Sequence, residues 1–284
     1  MTTRFEVGGA VVFLEESHAL PLVSITILSK CGAAHDLPGK TGLARVTTRL
    51  MLRGVEGLSA TEIEERLDLL GAEAGEETTA ASTCIQAQGI ARNIDELADL
   101  LAKIVGAPAL AEDELARLIR EMDAEQLEQR DDDRTLAVRA LRRAVFGDHI
   151  YGRVTTRDSL SKMIVDDVRG FHSRFYTRKN MVVSIAGDVT PDHAHALADR
   201  ILSRVPPGDA VSDPTPEPAK KIGRHLFFVD KPERTQTQIL MGALGTSPHD
   251  PDHFDLVVGD AVLGGSFTSR LMREVRSKRG WSYG

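Results

Sequence analysis

The stretch Cys31-Gly-Ala-Ala-His-Asp-Leu-Pro-Gly-Lys-Thr-Gly-Leu-Ala-Arg-Val-Thr-Thr-Arg-Leu-Met-Leu-Arg-Gly54 decides how the chain is to be read. Its first ten residues carry Gly32, Pro38 and Gly39 and read as a loop. A helix fits Leu43–Arg53, and Gly54 stops it. Leu43, Val46 and Leu50 form an apolar stripe on that helix, while Arg45, Arg49 and Arg53 fall at i, i+4 and i+8 as a basic one. By itself this is an amphipathic helix with one solvated face. Upstream, Val11–Leu14 and Val23–Leu28 alternate as strands around a break at Pro21.

Downstream, Ser59-Ala-Thr-Glu62 is a capping box that opens a second helix ending at Gly71. Residues 73–90 read as two strands, and Asn93 caps a helix reaching Val105. The longest helical pattern runs from Glu112 to Phe146, with a break at Asp131-Asp132-Asp133. Its apolar residues, Leu115, Leu118, Ile119 and Met122 and then Leu136, Val138, Leu141 and Val145, predict one packed face. A helix over Asp166–Tyr176, a strand over Asn180–Ala186 and a helix opened by Thr190-Pro191 follow. Five of the twelve prolines, at 206, 207, 214, 216 and 218, then mark a stiff linker and the domain boundary. Beyond it, strands are expected over Ile222–Val229 and Thr237–Leu244, and helices near Phe254–Leu263 and Phe267–Lys278. Roughly 65 residues follow the linker, few for an independent core, so the natural protein is expected to continue past Gly284.

A chain of 284 residues suits about two domains. Its 35 basic and 42 acidic residues leave a net charge of −7, which argues against a nucleic-acid or anionic-membrane binder. No apolar run approaches the ~18–20 residues of a membrane span. The N-terminus shows no clear leader, which favours the cytoplasm and leaves the periplasm open. Cys31 and Cys84 are expected to be free thiols. No G-x-S-x-G, P-loop, C-x-x-C or H-E-x-x-H stands in the sequence. His249-Asp-Pro-Asp-His253 reads as polar loop residues, because Pro251 breaks the helix on which an i,i+4 pair would converge, and Gly264-Gly265-Ser266 reads as a helix cap.

Several segments, in order, resemble one family: Cys31–Ala44 with Leu52-Arg-Gly54, Gly147-Asp-His-Ile-Tyr-Gly-Arg153, Phe171–Tyr176, Asn180–Asp188, Leu263–Leu271 and Arg276–Tyr283. Together they are similar to the pitrilysin-type (inverzincin) zinc metallopeptidases, which include insulin-degrading enzyme and the mitochondrial processing peptidase. The resemblance implies an α+β fold of repeated domains, each an antiparallel sheet backed by helices. Residues 1–205 would be a first peptidase-type domain, 206–220 the Pro-rich linker, and 221–284 the start of a second domain, incomplete in this chain.

Active members carry H-x-x-E-H on the helix after Gly-Leu-Ala, with two imidazoles at i and i+4 holding Zn²⁺ and the glutamate activating its water. Here those positions hold Arg45, Thr48 and Arg49. Guanidinium has no lone pair for a metal, and a threonine hydroxyl cannot act as a carboxylate base. The position of the third ligand survives as Glu125, 76 residues past Arg49. The motif is degenerate, so no zinc is expected on this chain, and Glu125 is expected to pair with Arg45 or Arg49. Near the other end, the resemblance gives Arg276 and Tyr283 the role of orienting substrate and stabilising charge on its carbonyl oxygen. Without the resemblance they read as a helix-terminal cation and a strand aromatic.

The resemblance thus implies the zinc-less subunit of a heterodimeric metallopeptidase. Such a subunit is inactive alone, binds peptide, and supplies Arg276 and Tyr283 to the zinc site of a homologous zinc-motif partner. The alternative is a non-enzymatic structural or assembly protein with a peptidase-derived fold, like the core proteins of a respiratory complex.

Overall fold

The structure is a computed structural model that describes residues 2–212, 218 and 223–283. By contacts the chain divides into two units, Met1–Leu240 and Met241–Gly284. In the first, β1 (Thr3–Val7) and β2 (Ala10–Glu16) form a hairpin whose two-residue turn is Gly8-Gly9, both at positive φ as such turns require. β1 lies ahead of the strand expected at Val11–Leu14, and the Gly-Gly pair was its only sign in the sequence. β3 (Leu22–Ser29) leads to α1 (Leu43–Met51), a short hairpin of β4 (Gly54–Val55) and β5 (Leu58–Ser59), and α2 (Ala60–Leu70). Then come β6 (Glu73–Thr78), β7 (Thr83–Ile90), α3 (Ile94–Gly106), α4 (Glu112–Glu128) and α5 (Asp133–Phe146). α6 (Arg157–Ser161), α7 (Val165–Phe175), β8 (Met181–Gly187) and α8 (Pro191–Leu202) complete the unit.

Six strands pair in the order β1-β2-β8-β3-β7-β6, antiparallel except for the parallel β2–β8 pair. Register aligns the apolar residues into rows: Ile27 lies opposite both Val183 and Ile85, and Ile25 opposite both Ile185 and Ala87. These residues are all buried, whereas their alternates Ser24, Thr26, Gln86 and Ser184 stay at least partly exposed. Period-two alternation thus gives the sheet one covered and one open face. Leu97, Leu101, Phe171, Phe175, Leu197 and Ile201, from α3, α7 and α8, join the covered face in one core. This is the expected sheet backed by helices.

Local signals placed most helices. Ser59 and Glu62 form the capping box of α2, and Thr190 Oγ1 accepts from His193 N ahead of Pro191. Asp132 caps α5 through Thr135 N, so the acidic run does break the long helical pattern. Asn93 stands at the start of α3 but does not cap it; its side-chain amide donates to Leu70 O at 2.8 Å, closing the end of α2 instead. α5 buries none of its residues, so Leu136, Val138, Leu141 and Val145 gain only partial cover, against the expected packed face.

After α8 the expectations fail more often. Pro206, Pro207 and Pro218 are described, while Pro214, Pro216 and Ile222 lie outside the described residues. No strand forms over 223–229 or 237–244, and Leu226, Phe228, Ile239 and Met241 are exposed. Alternation is only a disposition to pair; a strand exists when a neighbour accepts its backbone hydrogen bonds, and no described residue does so here. Lys231 instead donates to Asp133 Oδ1 and to Arg130 O, both at 2.7 Å, tying this segment to the start of α5. In the second unit α9 (His253–Asp260) opens at His253 and widens into a π-helical turn over Ala261–Gly265. The helix expected from Phe267 to Lys278 is likewise π-helical, and shorter, at Met272–Ser277.

Candidate functional site

The site is built on α1. Its N-terminus is held by Asp36, which lies before the helix and accepts from Gly42 N at 2.6 Å and Ala44 N at 2.8 Å. Gly42 at the N-cap is left-handed and has no side chain to cap with, so Asp36 takes over that task. Burial pushes the Asp36 carboxyl up to about 6, against the lowering effect of those N–H donors and of Arg153. The folded state therefore binds a proton that the unfolded chain, with a carboxyl near 3.9, has released, so stability falls as pH rises between about 4 and 6. Relative to Asp36→Asn, the wild-type protein is expected to lose about 2–3 kcal/mol over that window and nothing further above it. Urea unfolding of both proteins at pH 4, 5, 6 and 7 checks this; a constant difference would contradict it.

One turn on, the basic stripe meets acid. Arg49 forks onto Glu125 of α4, Nη1 to Oε2 at 3.0 Å and Nη2 to Oε1 at 2.8 Å. Arg45 stands 3.6 Å from the same carboxylate and is about half exposed. Arg49 Nε also lies 4.0 Å from Glu76 on β6. Arg53 bonds Glu121, one helical turn before Glu125. The bonds from Arg49 hold the Glu125 carboxyl below the usual range, while burial raises Glu76 against the pull of Arg45 and Arg49. Glu76 was missed in the sequence; the signal was a glutamate at an inward position of an alternating strand.

Thr48 has turned away from this cluster. Its hydroxyl donates to Ala44 O at 2.9 Å and meets the Tyr176 hydroxyl at 2.9 Å. With the Thr48 proton committed, Tyr176 donates to Thr48 and accepts from Thr83, also at 2.9 Å. Cys31 Sγ joins the same buried group at 3.6 Å from Thr83 and 3.4 Å from Ser29, and burial raises its pKa and that of Tyr176. Cys31 and Cys84 are both free thiols.

These residues do not fit zinc. Both carboxylate oxygens of Glu125 are taken by Arg49, and two guanidinium groups stand where lone pairs would be needed. Among the described residues no group of three histidine, cysteine or acidic side chains could hold a metal. What the arrangement does is cross-link α1, α4 and β6 through charge. Arg49 is largely buried and Glu125 about a third exposed, so a coupling energy of about 1–2 kcal/mol is expected. A double-mutant cycle of Arg49→Met and Glu125→Gln measures it; zero coupling would contradict it. The Glu125 contribution is present above the unfolded pKa near 4.3 and is lost as acid protonates the carboxylate.

Arg276 and Tyr283 belong to the second unit. Arg276 is half-buried with its guanidinium 5.2 Å from the Phe267 ring centroid. Its carbonyl accepts from Gly280 N at 2.9 Å, and Gly280 takes a positive φ that turns the chain out of the helix. Tyr283, beyond that turn, is 92% exposed. No hydrogen bond joins the two side chains among the described residues.

A helix-backed sheet with a charge cluster of Arg45, Arg49, Glu76 and Glu125 on α1, α4 and β6 defines a peptidase-like domain. The chain belongs to the M16 peptidases: the family model described as insulinase (peptidase family M16) matches residues 11–158, and the peptidase M16 inactive domain matches 162–284. It is 29% identical over 280 residues to an uncharacterized zinc protease of Mycobacterium leprae, covering 97% of this chain and 63% of that one. A second uncharacterized zinc protease, from Bacillus subtilis, is 26% identical over 279 residues, covering 97% and 67%. The chain thus spans about two thirds of the length of these relatives. Among solved structures, the peptidase M16 inactive domain from Pseudomonas fluorescens superposes with a TM-score of 0.88 at 26% identity, covering 100% of this chain and 69% of that one. Pitrilysin shares the fold, with a TM-score of 0.68 at 19% identity over 77% of this chain and 24% of its own.

Proposed function

We propose that this chain is the zinc-less subunit of a two-subunit zinc metallopeptidase, binding extended peptide and supplying Arg276 and Tyr283 to the zinc site of a homologous partner. The observation that carries the reading is the fork of Arg49 on Glu125, which uses up the one acidic position left from the motif. Support for peptide binding comes from β6, an end strand of the sheet whose outer backbone groups no described strand pairs. The zinc protease names of the relatives agree with a role inside a peptidase, and the inactive-domain name of the Pseudomonas structure agrees with a part other than its metal centre. No helix among the described residues is long and apolar enough to cross a membrane.

The test is purification of the full-length protein alone and after co-expression with a homologue carrying intact H-x-x-E-H. Alone, it should hold no stoichiometric zinc by mass spectrometry and show no chelator-sensitive peptidase activity. With the partner it should co-purify and yield activity exceeding that of the partner alone. Zinc or activity in the lone chain would overturn the proposal. A stable complex without peptidase activity would favour the structural alternative.

A further inference from the structure

β1 and β6 are the two ends of the strand order, and β1 carries a feature that β6 lacks. Phe5 of β1 lies opposite Val12, whose side chain is fully buried on the covered face, so Phe5 points to the helix side. There its ring stacks on His195 of α8, with centroids 5.5 Å apart and planes 18° apart. Asp192, His195, Ala196 and Asp199 fall at i, i+3, i+4 and i+7 on one stripe of α8, and with Phe5 and Pro191 they line a shallow groove along the sheet edge.

The charge in that groove is uncompensated. Asp192 and Asp199 make no ion pair among the described residues, and the cation beside Asp199, Arg200, is engaged by Asp95 and Asp99 at 3.5 and 3.3 Å. Asp192 sits in the first turn of α8, where the dipole favours an anion. Asp199 sits near the other end, where the dipole opposes one, so its carboxylate has no local stabilising cause.

We propose that the β1 edge and this groove form a docking site for an extended, basic peptide segment, added to the sheet as a further strand. The outer N–H and C=O groups of β1 would supply backbone hydrogen bonds. A peptide residue opposite Phe5 has its Cβ within about 5.5 Å and on the same face. A lysine or arginine there lays its stem on the Phe5 and His195 rings and brings its charged end to Asp192 or to Asp199, which stand about 10 Å apart along α8. The site lies at the opposite sheet edge from β6 and stands whether or not the chain serves a peptidase.

The test titrates the isotope-labelled full chain with a capped heptapeptide, Thr-Val-Lys-Val-Lys-Val-Thr, and with its counterpart in which glutamate replaces lysine. The lysine peptide should move backbone amide signals of residues 3–7 and 192–199 and weaken with added salt. The glutamate peptide should bind at least about tenfold more weakly. The surface variant Asp192→Lys/Asp199→Lys should lose about tenfold for the lysine peptide, Asp192→Asn/Asp199→Asn should fall between, and Glu56→Gln, exposed in the β4–β5 turn, should change nothing. Absence of binding, shifts at β6 instead of β1, or equal affinity in the lysine variant would overturn the site. Concentration-dependent dimerisation through β1 that the peptide does not compete with would assign the edge to a second copy and overturn it as well.

Discussion

If the chain serves as the proposed subunit, Arg276→Ala in the reconstituted two-subunit enzyme is expected to lower kcat by about 10²–10³-fold while KM changes little, the scale for deleting one donor aimed at a developing oxyanion. Tyr283→Phe, which removes only the hydroxyl, should cost a comparable factor. The physical basis is that both groups are free for such work. Arg276 is held against Phe267 without an ion pair among the described residues, and Tyr283 is almost fully exposed beyond the Gly280 turn. If Arg276 served only as a helix-terminal cation, its loss would lower stability by a few tenths of a kcal/mol and leave kcat alone. Single-turnover kinetics with the two variants, together with their unfolding curves, separate these outcomes. Unchanged turnover in both would remove the pair from the mechanism.

Gly32→Ala is expected to destabilise the first unit by about 3 kcal/mol, the upper range for forcing atoms into a packed site. An added Cβ would stand 2.4 Å from Thr79 O, 2.6 Å from Ala80 O and 2.6 Å from Ser82 N. All three are backbone atoms, and the same turn is pinned by Ala33 N to Thr79 O at 3.0 Å and Ala34 N to Ala80 O at 2.9 Å. Relief therefore requires moving the β6–β7 connection, and β6 carries Glu76. Gly39→Ala is the control: it has a positive φ of 77° but nothing near its Cβ, and should cost only about 1 kcal/mol. Chemical unfolding of both variants tests the difference. A loss below 1 kcal/mol in Gly32→Ala would mean the turn is less constrained than its contacts indicate.

Legibility in the sequence followed the range of the interactions involved. The Ser59–Glu62 capping box, the Thr190-Pro191 start and the acidic break before α5 act within three or four residues, and each appears where its signal lies. The α1 stripes were legible for the same reason. Asn93 shows the limit: its residue type suits a cap, but the bond its Nδ2 donates to the carbonyl of Leu70, 23 residues earlier, orients the side chain, and its oxygen caps nothing. The helix pattern of α5 was readable, but whether anything would cover its apolar side was not.

For the site, residue chemistry alone showed that Arg45 and Arg49 offer no ligand to zinc and Thr48 no carboxylate base, because lone pairs and acidity belong to the side chain and not to the fold. The choice of partner lay with the tertiary structure. Of two arginines one turn apart, the packing of α1 on α4 gives Arg49 both oxygens of Glu125 and leaves Arg45 at the longer distance. Glu76 reaches the same cluster because the strand order puts β6 at the sheet end beside α1. Those contacts join residues from 27 to 80 positions apart, and such distances in the chain are closed only by the packing of sheet and helices.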